Sequence, residues 1–117
     1  MDFKEVESIY LRKKDKLLRG VFSQENPIAF ILGGQPASGK SGLAKAILRQ
    51  FPDKDFLFVN GDIYREFHPK ANELIKYTDS YSAETQIFSN FFTEALIQEA
   101  IIHKYNIIVE GTMRNPE

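Results

Sequence analysis

The 117-residue chain contains no cysteine, which excludes a disulfide framework and a metal site built on thiolates. It also lacks an excess of either charge, since 15 Lys and Arg face 16 Asp and Glu for a net charge of -1. This balance gives no reason to expect nucleic acid or an anionic membrane as a partner. No apolar run approaches the roughly 20 residues that cross a bilayer, and the first residues lack the apolar core of a signal peptide. We therefore expect a soluble, cytoplasmic protein.

The composition suits one folded domain, which we place at residues 1–117. Apolar residues make up 43% of the chain, which is enough for a hydrophobic core and too many for a disordered segment. Residues 1–20 are predicted to form an N-terminal helix, amphipathic over residues 3–19, that precedes the first strand. Its basic side chains are interpreted as a solvated helix face, with a partner-binding patch as the alternative.

Three short apolar segments alternate with segments of helical periodicity, which is typical of an α/β fold with a parallel sheet. The predicted strands are residues 28–32, 56–59 and 107–109. The further predicted helices are residues 40–50, about 70–77 and about 83–103, the last with Ser82 as its N-cap. Residues 28–32 are apolar without alternation, which predicts a strand buried on both faces.

The segment after the first predicted strand matches the phosphate-binding pattern G-x-x-x-x-G-K-[ST] in full. Its residues are Gly34, Gln35, Pro36, Ala37, Ser38, Gly39, Lys40 and Ser41. Gly34 and Gly39 allow a tight turn whose backbone N–H groups can approach an anion closely. Lys40 can neutralise the β- and γ-phosphates of a nucleotide, and the Ser41 hydroxyl can ligate Mg²⁺. The strand before it and the helix after it favour this interpretation over an ordinary Gly-rich turn.

Two carboxylates follow strands at the edge where parallel sheets bind their ligands. Asp62 comes after the second predicted strand and Glu110 after the third. A phosphoryl transferase needs a base for the acceptor hydroxyl and groups that hold Mg²⁺, and these two side chains can share those tasks. Taken alone, each is better explained structurally, Asp62 by an Asn-Gly-Asp turn and Glu110 by a charged strand end. The phosphate loop in the same sheet favours the catalytic interpretation.

One histidine, in the dipeptide His68-Pro69, lies shortly after Asp62 in the sequence. A histidine far from any other His or Cys is a poor candidate for a metal ligand. We therefore expect a structural role for His68, with Pro69 at the start of a helix.

Four segments are similar, in order and spacing, to those of the zeta toxin family, the kinase toxins of bacterial toxin–antitoxin systems. The phosphate loop alone is generic, but its combination with NGD-x-[YF]-R-x-x-HP and EGT-x-R is much more specific. The similarity runs over most of residues 28–114. The four segments are GGQPASGKSGL, VNGDIYREFHP, YSAETQIFSNFFTEAL and NIIVEGTMR.

The resemblance implies a P-loop kinase that uses ATP and Mg²⁺ to phosphorylate the 3′-hydroxyl of the amino sugar in UDP-N-acetylglucosamine. By motif, Lys40 and Ser41 would contact the ATP phosphates and Mg²⁺, and Asp62 would be the general base toward the sugar hydroxyl. The resemblance also implies a cognate antitoxin protein as partner. The residues that it places on the substrate side are Glu94, Glu110, Thr112 and Arg114.

The family fold continues past EGT-x-R with further strands, a helix and a lid that supplies phosphate-binding arginines, whereas this sequence ends at Glu117. We therefore expect an incomplete P-loop kinase domain, truncated after the third strand, as a fragment of a longer gene product or a poorly soluble remnant. A sheet of order 2-3-1 would leave the first strand at its edge. The functional alternatives are another small-molecule phosphotransferase and an inactive fragment that binds nucleotide or antitoxin.

Overall fold

The computed structural model describes residues 2–32 and 40–110, apart from the side chains of residues 40–44, 78 and 79. Helices and strands alternate along the chain, as the sequence predicts. The elements are α1 (Phe3–Leu17), β1 (Ala29–Leu32), α2 (Lys40–Gln50), β2 (Phe56–Asn60), α3 (Gly61–Tyr64), a 3₁₀ turn (Arg65–Phe67), α4 (Ala71–Leu74), α5 (Thr78–His103) and β3 (Asn106–Glu110). Within this part of the chain, no helix has the length and apolarity needed to cross a membrane.

The three strands form one parallel sheet of order β1-β3-β2, which confirms the predicted fold class and strand order. β1 and β3 pair in parallel from Ala29 opposite Ile107 to Leu32 opposite Glu110. The central strand is the most deeply buried, since residues 106–109 are all buried. A continuous apolar segment in a central parallel strand is expected, because both of its faces are covered.

Strand β1 differs from its prediction of burial on both faces. Ala29 and Ile31 are exposed, Ile31 by 65%, whereas Phe30 and Leu32 are half-buried. β1 is an edge strand with one packed face, where the Phe30 ring lies 6.0 Å from the ring of Phe51. An apolar segment shows only that its side chains can be buried. Whether one or both faces of the strand are buried depends on its position in the sheet.

A buried amide joins the starts of the three strands. Asn106 is fully buried at the first position of β3. Its Oδ1 accepts the backbone N–H of Ile28 at 2.8 Å, and its Nδ2 donates to the carbonyl of Asp55 at 3.1 Å. Ile28 and Asp55 directly precede β1 and β2. The amide is therefore satisfied on both sides, as a buried polar group must be to avoid a desolvation cost.

The chain divides into two compact units, each with its own packing. The first unit comprises Met1–Arg19 and Asn60–Leu96, and the second comprises Gly20–Val59 and Ile97–Glu117. The first unit is organised around Phe92, which is fully buried. The rings with centroids 5.2–6.4 Å from that of Phe92 belong to Tyr10, Tyr64, Phe67, Phe88 and Phe91.

The predicted N-terminal helix is present as α1, with a capping box at its start. The Asp2 carboxylate accepts the backbone N–H of Glu5 at 2.9 Å, and the Glu5 carboxylate accepts that of Asp2 at 3.3 Å. Such caps satisfy backbone donors that have no partner inside the helix. The helix packs its buried side chains Val6, Ile9 and Tyr10 into the first unit.

Three helical predictions need correction. α5 begins at Thr78, so Ser82 lies inside the helix and is not its N-cap. The helix predicted near residues 70–77 is the single turn α4, which begins two residues after Pro69. No helix was predicted directly after β2, where α3 and the following 3₁₀ turn form; an Asn-Gly-Asp turn was only the structural alternative for Asp62.

Candidate active site

The predicted phosphate loop lies between a strand and a helix, as its motif requires. β1 ends at Leu32, and α2 begins at Lys40. Lys40 and Ser41 therefore occupy the first turn of α2; their side chains are among those that the structure does not describe. The other predicted site residues that lie outside the described residues are Gly34, Gln35, Pro36, Ala37, Ser38, Gly39, Thr112 and Arg114.

The predicted base, Asp62, lies in the first turn of α3, directly after β2. Asn60 is the N-cap of this helix, and its side-chain Oδ1 accepts the backbone N–H of Asp62 at 3.0 Å. Asn is a favoured N-cap because its short side chain reaches the backbone donors that the first turn leaves unpaired. The cap fixes the backbone of Asp62, while its carboxylate is 68% exposed and open to a substrate.

Two neighbours of Asp62 hold this turn in place. The Tyr64 hydroxyl accepts the backbone N–H of Asn60 at 3.3 Å, and burial raises the pKa of Tyr64 above its ordinary value, with the hydrogen bond to Asn60 opposing it. Gly61 packs tightly against α5, where an added Cβ would lie 2.5 Å from Ser89 Oγ and 3.3 Å from Thr93 Oγ1. A side chain at position 61 would force α3 away from α5 or displace Ser89.

The Asp62 carboxylate contacts an arginine that the sequence analysis did not assign to the site. Arg65 Nε lies 3.4 Å from Asp62 Oδ1. The rest of the guanidinium binds α5: Nη1 donates to the carbonyl of Ser82 and to Thr85 Oγ1, both at 3.0 Å, and Nη2 donates to Gln86 Oε1 at 2.9 Å. Two signals were available: the Arg of the motif NGD-x-[YF]-R-x-x-HP, and the three-residue spacing of Asp62 and Arg65, which places both on one helical face.

The remaining predicted carboxylates lie on different elements. Glu94 is exposed on α5 in the first unit. Glu110 is half-buried at the end of β3 in the second unit, opposite Leu32 of β1. Among residues 2–32 and 40–110, no group of three or more His, Asp or Glu side chains is arranged to hold a metal ion.

His68 has a structural role, as the sequence predicts. It is only 8% exposed, its ring lies 5.4 Å from that of Phe88, and its Nδ1 accepts the backbone N–H of Lys70 at 2.9 Å. Burial lowers the pKa of His68 below 6.5, because the charged ring would lose its hydration. The charge of Lys70 acts in the same direction, and Glu84 opposes it.

We expect acid to destabilise the protein partly through His68. Its pKa is lower in the folded than in the unfolded chain, so the unfolded chain binds the proton first as the pH falls. The contribution is complete above the unfolded pKa of about 6.5 and is lost below it, at most about 1.4 kcal/mol per pH unit. Urea unfolding at several pH values below about 6.5 measures this effect. The free energy of unfolding should fall less steeply with falling pH in His68→Asn, whose amide oxygen can still accept the backbone N–H of Lys70. Equal slopes would contradict the prediction.

Sequence comparison identifies the family to which this strand–loop–helix and capped aspartate belong. The family model described as "Zeta toxin" matches residues 13–117, almost the whole chain. The chain belongs to the zeta toxin family. This confirms the resemblance deduced from the motifs.

Individual zeta toxins are similar over most of this chain. It is 35% identical to Toxin zeta of Streptococcus pyogenes over 104 residues, which are 88% of this chain and 36% of that protein. It is 33% identical to Toxin PezT of Streptococcus pneumoniae serotype 4, also over 104 residues, with 88% of this chain and 41% of PezT covered. The chain thus spans well under half the length of these relatives.

A solved structure has the same fold. It comes from the molecular and structural characterisation of the PezAT chromosomal toxin–antitoxin system of the human pathogen Streptococcus pneumoniae. The TM-score is 0.83 at 28% sequence identity, and the match covers 98% of this chain and 48% of that chain. The fold described above is therefore the fold of about half of that chain.

Proposed function

We propose that this chain binds the nucleotide and carries the general base of a kinase. The kinase transfers the γ-phosphoryl group of ATP to the 3′-hydroxyl of UDP-N-acetylglucosamine. One observation carries the proposal. Asp62, the residue that matches the general base of the zeta toxin motif, is exposed in a turn fixed by the Asn60 cap and held by Arg65. Membership of the zeta toxin family supports the same activity.

On the nucleotide side, residues 34–41 supply the chemistry that ATP and Mg²⁺ need. Backbone N–H groups of a Gly-rich loop and the start of α2 suit phosphate oxygens. Lys40 would pair with the β- and γ-phosphates, and the Ser41 hydroxyl would ligate Mg²⁺. When bound, the metal ion would neutralise charge on the phosphates during transfer.

On the acceptor side, Asp62 would take the proton of the sugar 3′-hydroxyl. The hydroxyl oxygen then forms a bond to the γ-phosphorus, while the bond from that phosphorus to the bridging oxygen breaks and ADP leaves with the electron pair. Exposure of the carboxylate suits this role, because the base must reach the hydroxyl within hydrogen-bond distance. In this proposal the substrate side is lined by Glu94, Glu110, Thr112 and Arg114.

The proposal includes a partner and a location. The names of the relatives and the PezAT study support a cognate antitoxin protein as the binding partner. ATP and sugar nucleotides are cytoplasmic metabolites, so the proposal places the protein in the cytoplasm. It involves neither nucleic acid nor a membrane.

The test is ADP release by the purified chain with ATP and Mg²⁺, with and without UDP-N-acetylglucosamine. We expect release that depends on the sugar nucleotide and falls roughly 10²-fold in Lys40→Ala, because the variant loses a charge on the transferring phosphates. Lys45→Ala is the matched control, since Lys45 is exposed on the same helix. Release that ignores the sugar but responds to another acceptor would indicate a different phosphotransferase. ATP binding without release would indicate a binding fragment, and either result would overturn the proposal that this chain carries out the transfer to UDP-N-acetylglucosamine.

A further inference from the structure

The guanidinium of Arg65 is fixed by α5 and not by its ion pair with Asp62. Three hydrogen bonds of 2.9–3.0 Å join Nη1 and Nη2 to Ser82, Thr85 and Gln86. Thr85 is fully buried, and its own hydroxyl donates to the carbonyl of Tyr81 one turn earlier. The Arg65 side chain is only 13% exposed, and its bonds to Thr85 and Gln86 are partly buried.

The contact with Asp62 is longer than the three hydrogen bonds that Arg65 makes to α5. It is 3.4 Å long, and its acceptor carboxylate is largely exposed. Ion pairs of this kind contribute little to stability, because water screens them and ordering the side chains costs entropy. Stability alone therefore does not explain why Nε is directed at Asp62. A planar guanidinium held at both Nη atoms presents Nε in a defined direction.

We propose that Arg65 is a positioning residue for the base, which orients the Asp62 carboxylate for proton transfer by holding Oδ1 while α5 holds the guanidinium. The inference rests on the proposed function. Arg65 itself acts through Asp62 and touches no reacting atom. Oδ2, the oxygen not bonded to Arg65, is the one assigned to accept the proton of the acceptor hydroxyl.

This assignment gives α5 a part in the chemistry. The backbone of Asp62 is held by the Asn60 cap, and its carboxylate contacts Arg65, whose guanidinium is anchored on α5. The cap restrains the backbone at residue 62, and the anchored guanidinium of Arg65 gives the carboxylate a preferred direction. Misplacement of a reacting group by about 1 Å can reduce a rate by about 10²-fold, so the second restraint matters for turnover.

The first experiment measures kcat and KM for Arg65→Met and Arg65→Lys, well below the temperature at which either variant unfolds. We expect Arg65→Met to lower kcat by about 10²-fold and to leave KM for ATP within about twofold of the wild type. Arg65→Lys should recover little of this loss, because an ammonium group cannot bind α5 and Asp62 in the same fork. Arg12→Met, at an exposed position of α1, is the control and should retain wild-type kcat.

A double-mutant cycle separates positioning from simple structural support. In the Asp62→Asn background the base is already lost, so Arg65→Met should lower kcat by less than about twofold further. A structural role predicts instead that the two losses multiply. Multiplying losses, or an Arg65→Met variant with normal kcat, would overturn the inference.

An NMR measurement tests the contact between Arg65 and Asp62 independently of the proposed kinase activity. The ¹Hε–¹⁵Nε resonance of Arg65 should shift in Asp62→Asn and should stay in place in Glu66→Gln, an exposed carboxylate one residue further along the chain. An unmoved resonance in Asp62→Asn would overturn the positioning role even in an active kinase. A shifted resonance in a chain that releases no ADP would leave the contact established and the proposed function refuted.

Discussion

Replacement of Asp62 by Asn is expected to lower sugar-nucleotide-dependent ADP release by about 10²–10⁴-fold, the usual contribution of a general base. Asn should preserve the local structure, because the Asn60 cap binds the backbone N–H of residue 62 and an amide oxygen can still accept from Arg65 Nε. The variant therefore removes basicity and retains geometry. Initial rates at saturating ATP, with UDP-N-acetylglucosamine varied, provide the measurement.

The control for Asp62→Asn is Glu66→Gln, which removes one exposed carboxylate from the adjoining 3₁₀ turn. It should change kcat by less than about twofold, because only a group within hydrogen-bond reach of the hydroxyl can act as its base. KM for the sugar nucleotide should change little in either variant. An Asp62→Asn enzyme that keeps more than about a tenth of the wild-type kcat would rule out Asp62 as the base.

Replacement of Phe92 by Ala is expected to lower the free energy of unfolding by about 3–5 kcal/mol, the usual cost of removing a buried Phe ring. Phe92 is fully buried, with the rings of Tyr64 at 5.3 Å and Phe67 at 5.2 Å. A domain is stable by only about 5–15 kcal/mol, so this loss is a large share of the total. Urea unfolding followed by circular dichroism measures it.

The matched control for Phe92→Ala is Phe3→Ala. Phe3 belongs to the same unit and packs edge-on against Phe91 at 5.1 Å, yet it is 59% exposed. Its replacement should cost less than about 1.5 kcal/mol, because less apolar surface returns to water. Similar costs for the two variants would show that the aromatic cluster is not centred on Phe92. Tyr64 flanks Asp62, so Phe92→Ala should also reduce the proposed ADP release of the folded fraction.

The sequence predicted those parts of the fold that depend on apolar periodicity. The three strands, their order, α1, α2 and most of α5 follow from short apolar segments alternating with helical ones. The error at the start of α5 arose because the same residue type occurs both at helix N-caps and inside helices. Ser82 was predicted to cap α5, but a hydroxyl residue is also tolerated inside a helix, and here its carbonyl accepts from Arg65. Long-range contacts of this kind are not encoded in a local pattern.

The candidate site was predictable to a similar degree. Asn-Gly-Asp fits both a turn and a helix N-cap, because Asn serves in each by binding a nearby backbone N–H. The sequence therefore identified Asp62 but not α3. Arg65 was present in the motif NGD-x-[YF]-R-x-x-HP but received no role, since its partners Thr85 and Gln86 lie 20 and 21 residues away. Only the folded chain brings them together.

Asn106 has a consequence for the kinetics of folding. Its two side-chain hydrogen bonds join residues 78 and 51 positions apart in sequence. Both bonds require long loops to close first, and closure costs entropy before any contact compensates for it. Folds dominated by such distant contacts form slowly. The hydrogen bonds of the Asn106 amide should therefore form late in folding, after the strands have paired. Their chief effect should be to slow the unfolding of the assembled sheet.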